Sequence, residues 1–528
     1  MKYLLPTAAA GLLLLAAQPA RTSPHTCVLL LCAASAIATP QHQAPIQLPL
    51  SASSPSFETF APVQRYDGDQ IWRVKLGGED IRRIEDIVDL VEDLQLDIWR
   101  TTPHSLDIRL NELQKNELQE RLHPDTLFEP FITDVQSLVD FTTLSDYSDL
   151  INSSLEADAD RPLENGKPLQ ISKKKKIPKI DPFNLTTLAT PFHDSYHTLK
   201  DFHQFGDALV ETSNGKGGIE VWSFDVGTTW EGRPLRGWSA RLVRNESDAS
   251  NSQRRRRSRV VEDDEELHKE IVIISGQHGR EWVGPSSALY FLHSLLLTSL
   301  SSPSSDAALM LNKFTFSVIP TINPDGFVYS QSHRMWRKNR QPVGHKSCVG
   351  IDLNSNWAYK WKKEKKEKPC NEGYRGKAAF EAYETKAVGE WLAKGAERGT
   401  RVRAFIDLHS YGQLFMFPFA HSCNDFPVDA EMLMEAGLGV AKSIRTAHGE
   451  TYETGQACDL TYRAPGDSVD HAYGVTDIRW SYSAELRDTG TYGFMLPKTL
   501  IRPTAEEISA GILHLAKFIY VLEIADAA

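Results

Sequence analysis

From His193 onward, apolar runs alternate with stretches of helical periodicity. Apolar positions at helical spacing predict a helix over Ser195–Val210. Ile219–Val226 and Trp238–Val243 read as strands. Ile271–Ile274 is an apolar, β-branched run ended by Ser275 and Gly276, the pattern of a buried strand feeding a tight turn. A long apolar helix follows over Gly284–Leu297. Phe314–Ile319 is a further buried strand, Asn323–Gly326 (NPDG) a loop, and Ala379–Lys394 a helix. Val402–Leu408 is a strand that delivers His409 at its C-terminal end. Strands interleaved with helices imply an α/β fold: one mixed sheet covered on both faces, with its site at the carboxyl ends of the strands.

Before this lies a smaller unit. Strands are expected at Gln70–Leu76, Leu96–Thr101, Ser105–Leu110 and Phe131–Val135, with helices at Asp80–Leu94 and Lys115–Leu122. The β-α-β-β-α-β order suits a small open sandwich with helices on one face. The expected organisation is a leader over 1–38, a Pro/Ser-rich linker over 39–65, the small unit over 66–140, a polar linker over 141–185, and the α/β domain over 186–524. The second linker carries the basic run Lys173–Lys176, which reads equally as a solvated charge run and as an exposed protease site. A second basic run, Arg254–Arg257, sits in a polar insert beside acidic residues and reads as a surface loop.

The net charge of −11 over 528 residues argues against nucleic acid as a partner. Met1–Ala20 has a lysine, an apolar core and small residues near its end, as a secretory signal does. It resembles the leader of a bacterial pectate lyase, and Cys27–Ala38 reads as a second leader behind it. Neither run reaches the roughly 18–20 residues of a membrane span. The expectation is a secreted, extracellular protein, with the vacuole as the other destination. Outside the leader, Cys348, Cys370, Cys423 and Cys458 are an even number in an oxidising setting. Local pairing, Cys348–Cys370 and Cys423–Cys458, is the first choice of three connectivities, with free buried thiols as the alternative. Asn152, Asn184 and Asn245 each head an N-x-S/T glycosylation sequon.

The turn after Ile274 carries His278 and Glu281. An imidazole and a carboxylate three residues apart can reach one point, and both ligate zinc. Alone, HxxE is a weak signal that a surface salt bridge would also explain. FIDLHSYGQ around His409, HGREW upstream and SAELRDTGTYGF near the C-terminus together resemble the zinc carboxypeptidases of the pancreatic A/B type. The likeness covers about 185–523, and the 66–140 unit resembles the same family's activation domain. The chain looks most like a fungal secreted branch linked to cell-wall organisation, several members of which are regarded as inactive.

The resemblance implies a mixed eight-stranded sheet flanked by helices, preceded by a small α+β prodomain. It implies one Zn2+ per chain on His278, Glu281 and His409, an open three-ligand site of the catalytic kind. Glu485 matches the general base; a structural glutamate paired with Arg487 is the alternative. Arg337 matches the oxyanion-stabilising arginine, and Arg280 and Arg334 match lesser cations along the groove. Ser410, Tyr411 and the mobile tyrosine, Tyr462, complete the substrate-binding set, with Val469 as the apolar side-chain selector. The implied partners are peptide or protein C-termini and the chain's own prodomain.

Two positions depart from the family's pattern. GIDLNSNW keeps Asn354 but has Ser355 where an arginine should bind the terminal carboxylate. Losing that bidentate charge pair should cost roughly 2–5 kcal/mol, or about 30-fold to several thousand-fold in kcat/KM. Asp467 stands where active members commonly have glycine; it reads either as a carboxylate in the pocket or as a turn residue facing solvent. The first reading of function is therefore a zinc-binding protein with lost or very weak exopeptidase activity. The second is an active carboxypeptidase, made as a zymogen, that releases apolar C-terminal residues.

Overall fold

The computed structural model describes residues 63–75, 81–142, 183–243, 267–363 and 368–525. The leader, nearly all of both linkers, the two basic runs, Asn152 and Asn245 lie outside the described residues. Asn184 is exposed and accepts a hydrogen bond from the Thr186 hydroxyl at 2.9 Å.

The N-terminal unit is a four-stranded antiparallel sheet: β1 (Gln70–Lys75), β2 (Asp97–Thr102), β3 (Ser105–Leu110) and β4 (Leu127–Ile132), in the order β2-β3-β1-β4. Helices α1 (Ile81–Asp93), α2 (Glu112–Arg121) and α3 (Val135–Phe141) accompany it. Alternate strand residues face opposite sides. Val74, Leu106, Ile108 and Leu110 join Val91 and Leu118 of the helices in one core, whereas Ile71, Trp99 and Ile132 pack on Met335, Tyr411 and Phe494 of the larger domain. β4 falls earlier than the expected Phe131–Val135, because Asp134 caps α3 by accepting from Ser137 N at 3.0 Å. Val135 thus opens a helix instead of closing a strand.

The larger domain begins with α4 (Leu199–Ser213), which starts later than expected because Thr198 and Asp201 form a capping box. Its sheet has eight strands: β5 (Ile219–Thr228), β6 (Pro234–Leu242), β7 (His268–Ser275), β8 (Thr315–Ile319), β9 (Thr400–Ser410), β10 (Leu414–Phe417), β11 (Glu453–Gln456) and β12 (Trp480–Leu486). The order is β11-β10-β12-β9-β7-β8-β6-β5, with a parallel centre of β12, β9, β7 and β8. Ile271 and Ile273 face the core shared with α5 (Val283–Ser301), α9 (Ala430–His448) and α11 (Ile501–Tyr520). Val272 and Ile274 face the opposite core, with Trp357, Tyr374 and Val388 of α8 (Tyr383–Ala393). The central strands are therefore buried on both faces, as their unbroken apolar runs require.

α6 (Asp306–Lys313) precedes β8. The expected NPDG loop is instead the start of α7 (Pro324–Ser330): Asn323 caps it, accepting from Gly326 N at 2.9 Å, and Pro324 occupies its first turn. Disulfides join Cys348 to Cys370 and Cys423 to Cys458, with Cα separations of 5.1 and 5.0 Å. Among the described residues, no helix is long and apolar enough to cross a membrane.

Candidate functional site

Parallel strands end together, so the turns at their carboxyl ends converge on one region. β7 ends at Ser275, and its turn places His278 and Glu281 just before α5. Gly276 takes φ +64°, and a Cβ there would stand 2.7 Å from Thr321 Oγ1; Gly279 lies against Gly326, whose carbonyl oxygen a Cβ would meet at 2.4 Å. These glycines fix the turn's path. β9 brings in His409, and β12 sets Glu485 directly beside it in the ladder.

His278, Glu281 and His409 are buried, and their ligand atoms lie within 4.8 Å of one another. Glu281 Oε1 is 2.6 Å from His278 Nδ1, and Oε2 is 3.1 Å from His409 Nδ1. The outer nitrogen of each imidazole faces a carboxylate: His278 Nε2 meets Asp352 Oδ1 at 3.1 Å, and His409 Nε2 meets Asp407 Oδ2 at 2.9 Å. With a cation bound, each outer carboxylate would keep the proton on Nε2 and free the Nδ1 lone pair beside Glu281 for the metal. Two lone pairs and a carboxylate converging in a buried space call for a cation. Burial alone would lower His409, yet Asp407 and Glu281 raise it well above the usual histidine range. The donor set fits a divalent zinc. A second cluster, His345 with Cys348 and Cys370, offers no thiolate because the cysteines are disulfide-bonded.

Glu485 and Arg337 line the cavity above this centre with His278, Glu281 and His409. Glu485 does not pair with Arg487, which binds Glu507 and Glu450. Among the described residues Glu485 Oε2 has no hydrogen-bond partner, and burial pushes its carboxyl up to about 8. Arg337 donates to Asp352 Oδ2 at 3.1 Å. Ser410, Tyr411 and Tyr462 line the same cavity, and Tyr462 is partly exposed.

Asn354 and Asp467 line this cavity, and Ser355, next to Asn354, is absent from its lining. Ser355 Oγ donates to Asp352 Oδ2 at 2.8 Å. Asn354 Nδ2 donates to Asp467 Oδ2 at 2.9 Å, while its Oδ1 accepts from Gln277 Nε2 and from Ser468 N, each at 3.1 Å. Asp467 is 6% exposed and caps α10 (Ser468–Gly474) by accepting from Val469 N at 2.8 Å. The solvent-facing turn reading of Asp467 is thus excluded; it lines the cavity. Burial and the nearby Asp470 carboxylate push it up to about 8.

Three of the expected site residues do not line this cavity. Val469 is fully buried and absent from the cavity lining, where Leu414, Met416, Ala420 and Ala457 supply the apolar wall. Arg280 is fully buried and pairs with Asp97 of the N-terminal unit at 2.7 Å. Arg334 lies flat on Trp282, 3.8 Å from its ring centroid, and donates to the Arg280 and Phe494 carbonyls. A planar cation between a ring and carbonyls is a packing element. The sequence pattern did not single out Asp352, Asp407 or Phe494. For Asp407 a signal existed, since residues i and i+2 of a strand share a face, as Asp407 and His409 do on β9.

The N-terminal unit borders the site. Trp99 and Arg100 line the cavity, Trp99 packs edge-on to Phe494 at 5.0 Å, and Arg100 donates to the Thr489 carbonyl at 3.1 Å.

The zinc carboxypeptidase family, peptidase M14, matches residues 219–511. An inactive metallocarboxypeptidase, ecm14, from Talaromyces marneffei is 30% identical over 86% of this chain and 73% of its own length. The inactive metallocarboxypeptidase ECM14 of Arthroderma otae is 36% identical over 56% of the chain, which spans about half (51%) of that relative. Among solved structures, carboxypeptidase A from Helicoverpa armigera superimposes with a TM-score of 0.65 at 20% identity, over 87% of this chain and 99% of that one. At that identity the likeness speaks for the fold alone.

Proposed function

The chain belongs to the zinc carboxypeptidase family, and from that premise we propose that it is a secreted, zinc-binding member whose groove holds ligands without trimming their C-termini. The observation that carries this reading is the diversion of the end-binding donors. A free C-terminus needs cationic or N–H groups aimed at its carboxylate. Here Ser355 supplies no cation and donates to Asp352, and an Asn354 N–H is taken by Asp467. The buried Asp467 sets a carboxyl group beside Asn354 in place of a guanidinium, and once ionised it repels a terminal carboxylate.

The rest of the apparatus fits zinc and peptide. His278, Glu281 and His409 would hold the metal, oriented by Asp352 and Asp407. Zinc held there supplies Lewis-acid polarisation of a peptide carbonyl. Arg337 is placed to face an oxyanion, and Glu485 to accept or return a proton at its unpartnered Oε2. The alternative, an active enzyme releasing apolar residues, draws on these same groups and on the apolar wall of Leu414, Met416 and Ala420.

We read the N-terminal unit as an inhibitory prodomain, a reading supported by Trp99 and Arg100 lining the cavity. The basic run Lys173–Lys176 would be its cleavage site. Two disulfides fit an oxidising, extracellular compartment. A role in fungal cell-wall organisation is drawn from the likeness to that branch.

The test is zinc content followed by peptide hydrolysis. The reading expects one zinc per chain and no release of leucine or phenylalanine from free C-termini after the linker is cut. Chelator-sensitive release at rates ordinary for enzymes would overturn it.

A further inference from the structure

The end of the recess is a donor beside an acceptor. Asn354 carries two amide N–H groups, and among the described residues its Nδ2 donates one hydrogen bond, to Asp467. The carbonyl of the same side chain is engaged by Gln277 and Ser468, which fixes the amide plane. Among the described residues each Asp467 oxygen accepts one hydrogen bond, Oδ2 from Asn354 and Oδ1 from Val469 N, which leaves each a second lone pair. Both residues line the cavity, whose volume is about 160 Å³. Its wall of Leu414, Met416, Ala420 and Ala457 suits an aliphatic side chain.

An N–H donor next to a carboxylate acceptor does not complement a carboxylate, which offers acceptors only. It complements a primary carboxamide, which offers a carbonyl oxygen and an N–H side by side. We propose that this recess recognises a neutral carboxamide end, with the ligand N–H donating to Asp467 and its carbonyl accepting from Asn354 Nδ2. The ligand class is a peptide or small amide with an aliphatic residue ending in –CONH2. The inference rests on the reading of this groove as one that binds without trimming. Ser355 assists by default: with its hydroxyl turned to Asp352, it puts no cation in the recess to favour an acid.

The test is calorimetric titration of the zinc-loaded full chain at pH 9, where Asp467 is ionised, with N-acetyl-leucinamide, N-acetyl-leucine and N-acetyl-leucine methyl ester. The ester is neutral but has no terminal N–H, so it separates charge exclusion from recognition of the amide. The expected result is an amide Kd at least tenfold below those of the acid and the ester. Asp467→Gly should shrink that preference to within twofold. Glycine is tolerated at a helix N-cap, and Asp467→Asn, which keeps the cap and the shape, should weaken the preference to an intermediate value. Equal binding of ester and amide, a preference that survives Asp467→Gly, or no binding of any probe would overturn the proposal. Leucine release from N-acetyl-Phe-Leu, followed in the same samples, tests the non-trimming reading separately from the ligand ranking.

Discussion

Asn354 gives one of its two side-chain N–H groups to Asp467 at 2.9 Å, so half of the donor capacity there is already engaged with a carboxyl group. Ser355 alone is therefore not the whole lesion. An arginine at 355 would enter a setting that already holds Asp352 and Asp467, and would pair with them before any ligand arrived. Ser355→Arg by itself should raise kcat/KM on a free-acid peptide by less than about tenfold, well short of the roughly 30-fold to several thousand-fold a working charge pair is worth. Steady-state release of C-terminal leucine checks this.

The carboxylates behind the histidines should matter nearly as much as the ligands. Asp352→Asn or Asp407→Asn removes the anion that holds Nε2–H and orients the ring. Each should weaken zinc binding by about 10- to 100-fold. Competition against a fluorescent chelator measures it, and unchanged affinity would mean that the backbone alone orients the imidazoles.

Asp97 and Arg280 tie the N-terminal unit to the larger domain with both side chains buried. Asp97 also pairs with Arg109 at 2.9 Å. Asp97→Ala would strand the Arg280 guanidinium without its counter-charge, at a cost of about 3–5 kcal/mol. Urea unfolding should show that loss, and the variant's N-terminal unit should be the first part digested by protease.

Glu384 supplies a pH test away from the metal. It is fully buried, accepts from Asn339 Nδ2 at 2.8 Å through Oε2, and among the described residues has no partner at Oε1. Burial pushes its carboxyl from 4.5 up to about 7. Because the folded value lies above the unfolded one, the fold keeps a proton that the unfolded chain gives up. Its contribution is complete below about pH 4.5 and is lost as pH rises towards 7. Glu384→Gln keeps the Asn339 bond and removes the charge. It should stabilise the protein by roughly 1–3 kcal/mol at pH 8 and leave it unchanged at pH 4, as thermal unfolding at the two pH values would show.

The sheet's core was legible because buried strands write themselves as short apolar runs, as Ile271–Ile274 and Phe314–Ile319 do. α7 was harder. NPDG carries the signals of a turn and of a helix start alike, and only the Asn323 cap decides between them. α11 has buried residues at Ile501, Ala505, Ile508, Ile512, Leu515 and Ile519, a helical spacing plain in the sequence that the expected elements leave out. The candidate metal site was readable through the family motifs that carry His278, Glu281 and His409, each at or just beyond the end of a strand. The positions of Arg280, Arg334 and Val469 were not, because periodicity does not say which way a loop cation points or whether an apolar residue faces a pocket or the core behind it. Asp467 shows the same limit. Its type allowed a turn facing solvent, and only its burial and its bond to Asn354 give it a place in the site.

The most direct measurement is kcat/KM for release of C-terminal leucine by the zinc-loaded chain, its linker cut, in three forms: unaltered, Ser355→Arg, and Ser355→Arg with Asp467→Gly. If diverted donors are what silence the groove, the unaltered chain is inactive, the single variant gains little, and the double variant gains at least about 100-fold through a freed Asn354 and an unopposed guanidinium. That activity should vanish with Glu485→Ala. Efficient cleavage by the unaltered chain, or no gain in the double variant, would contradict the account.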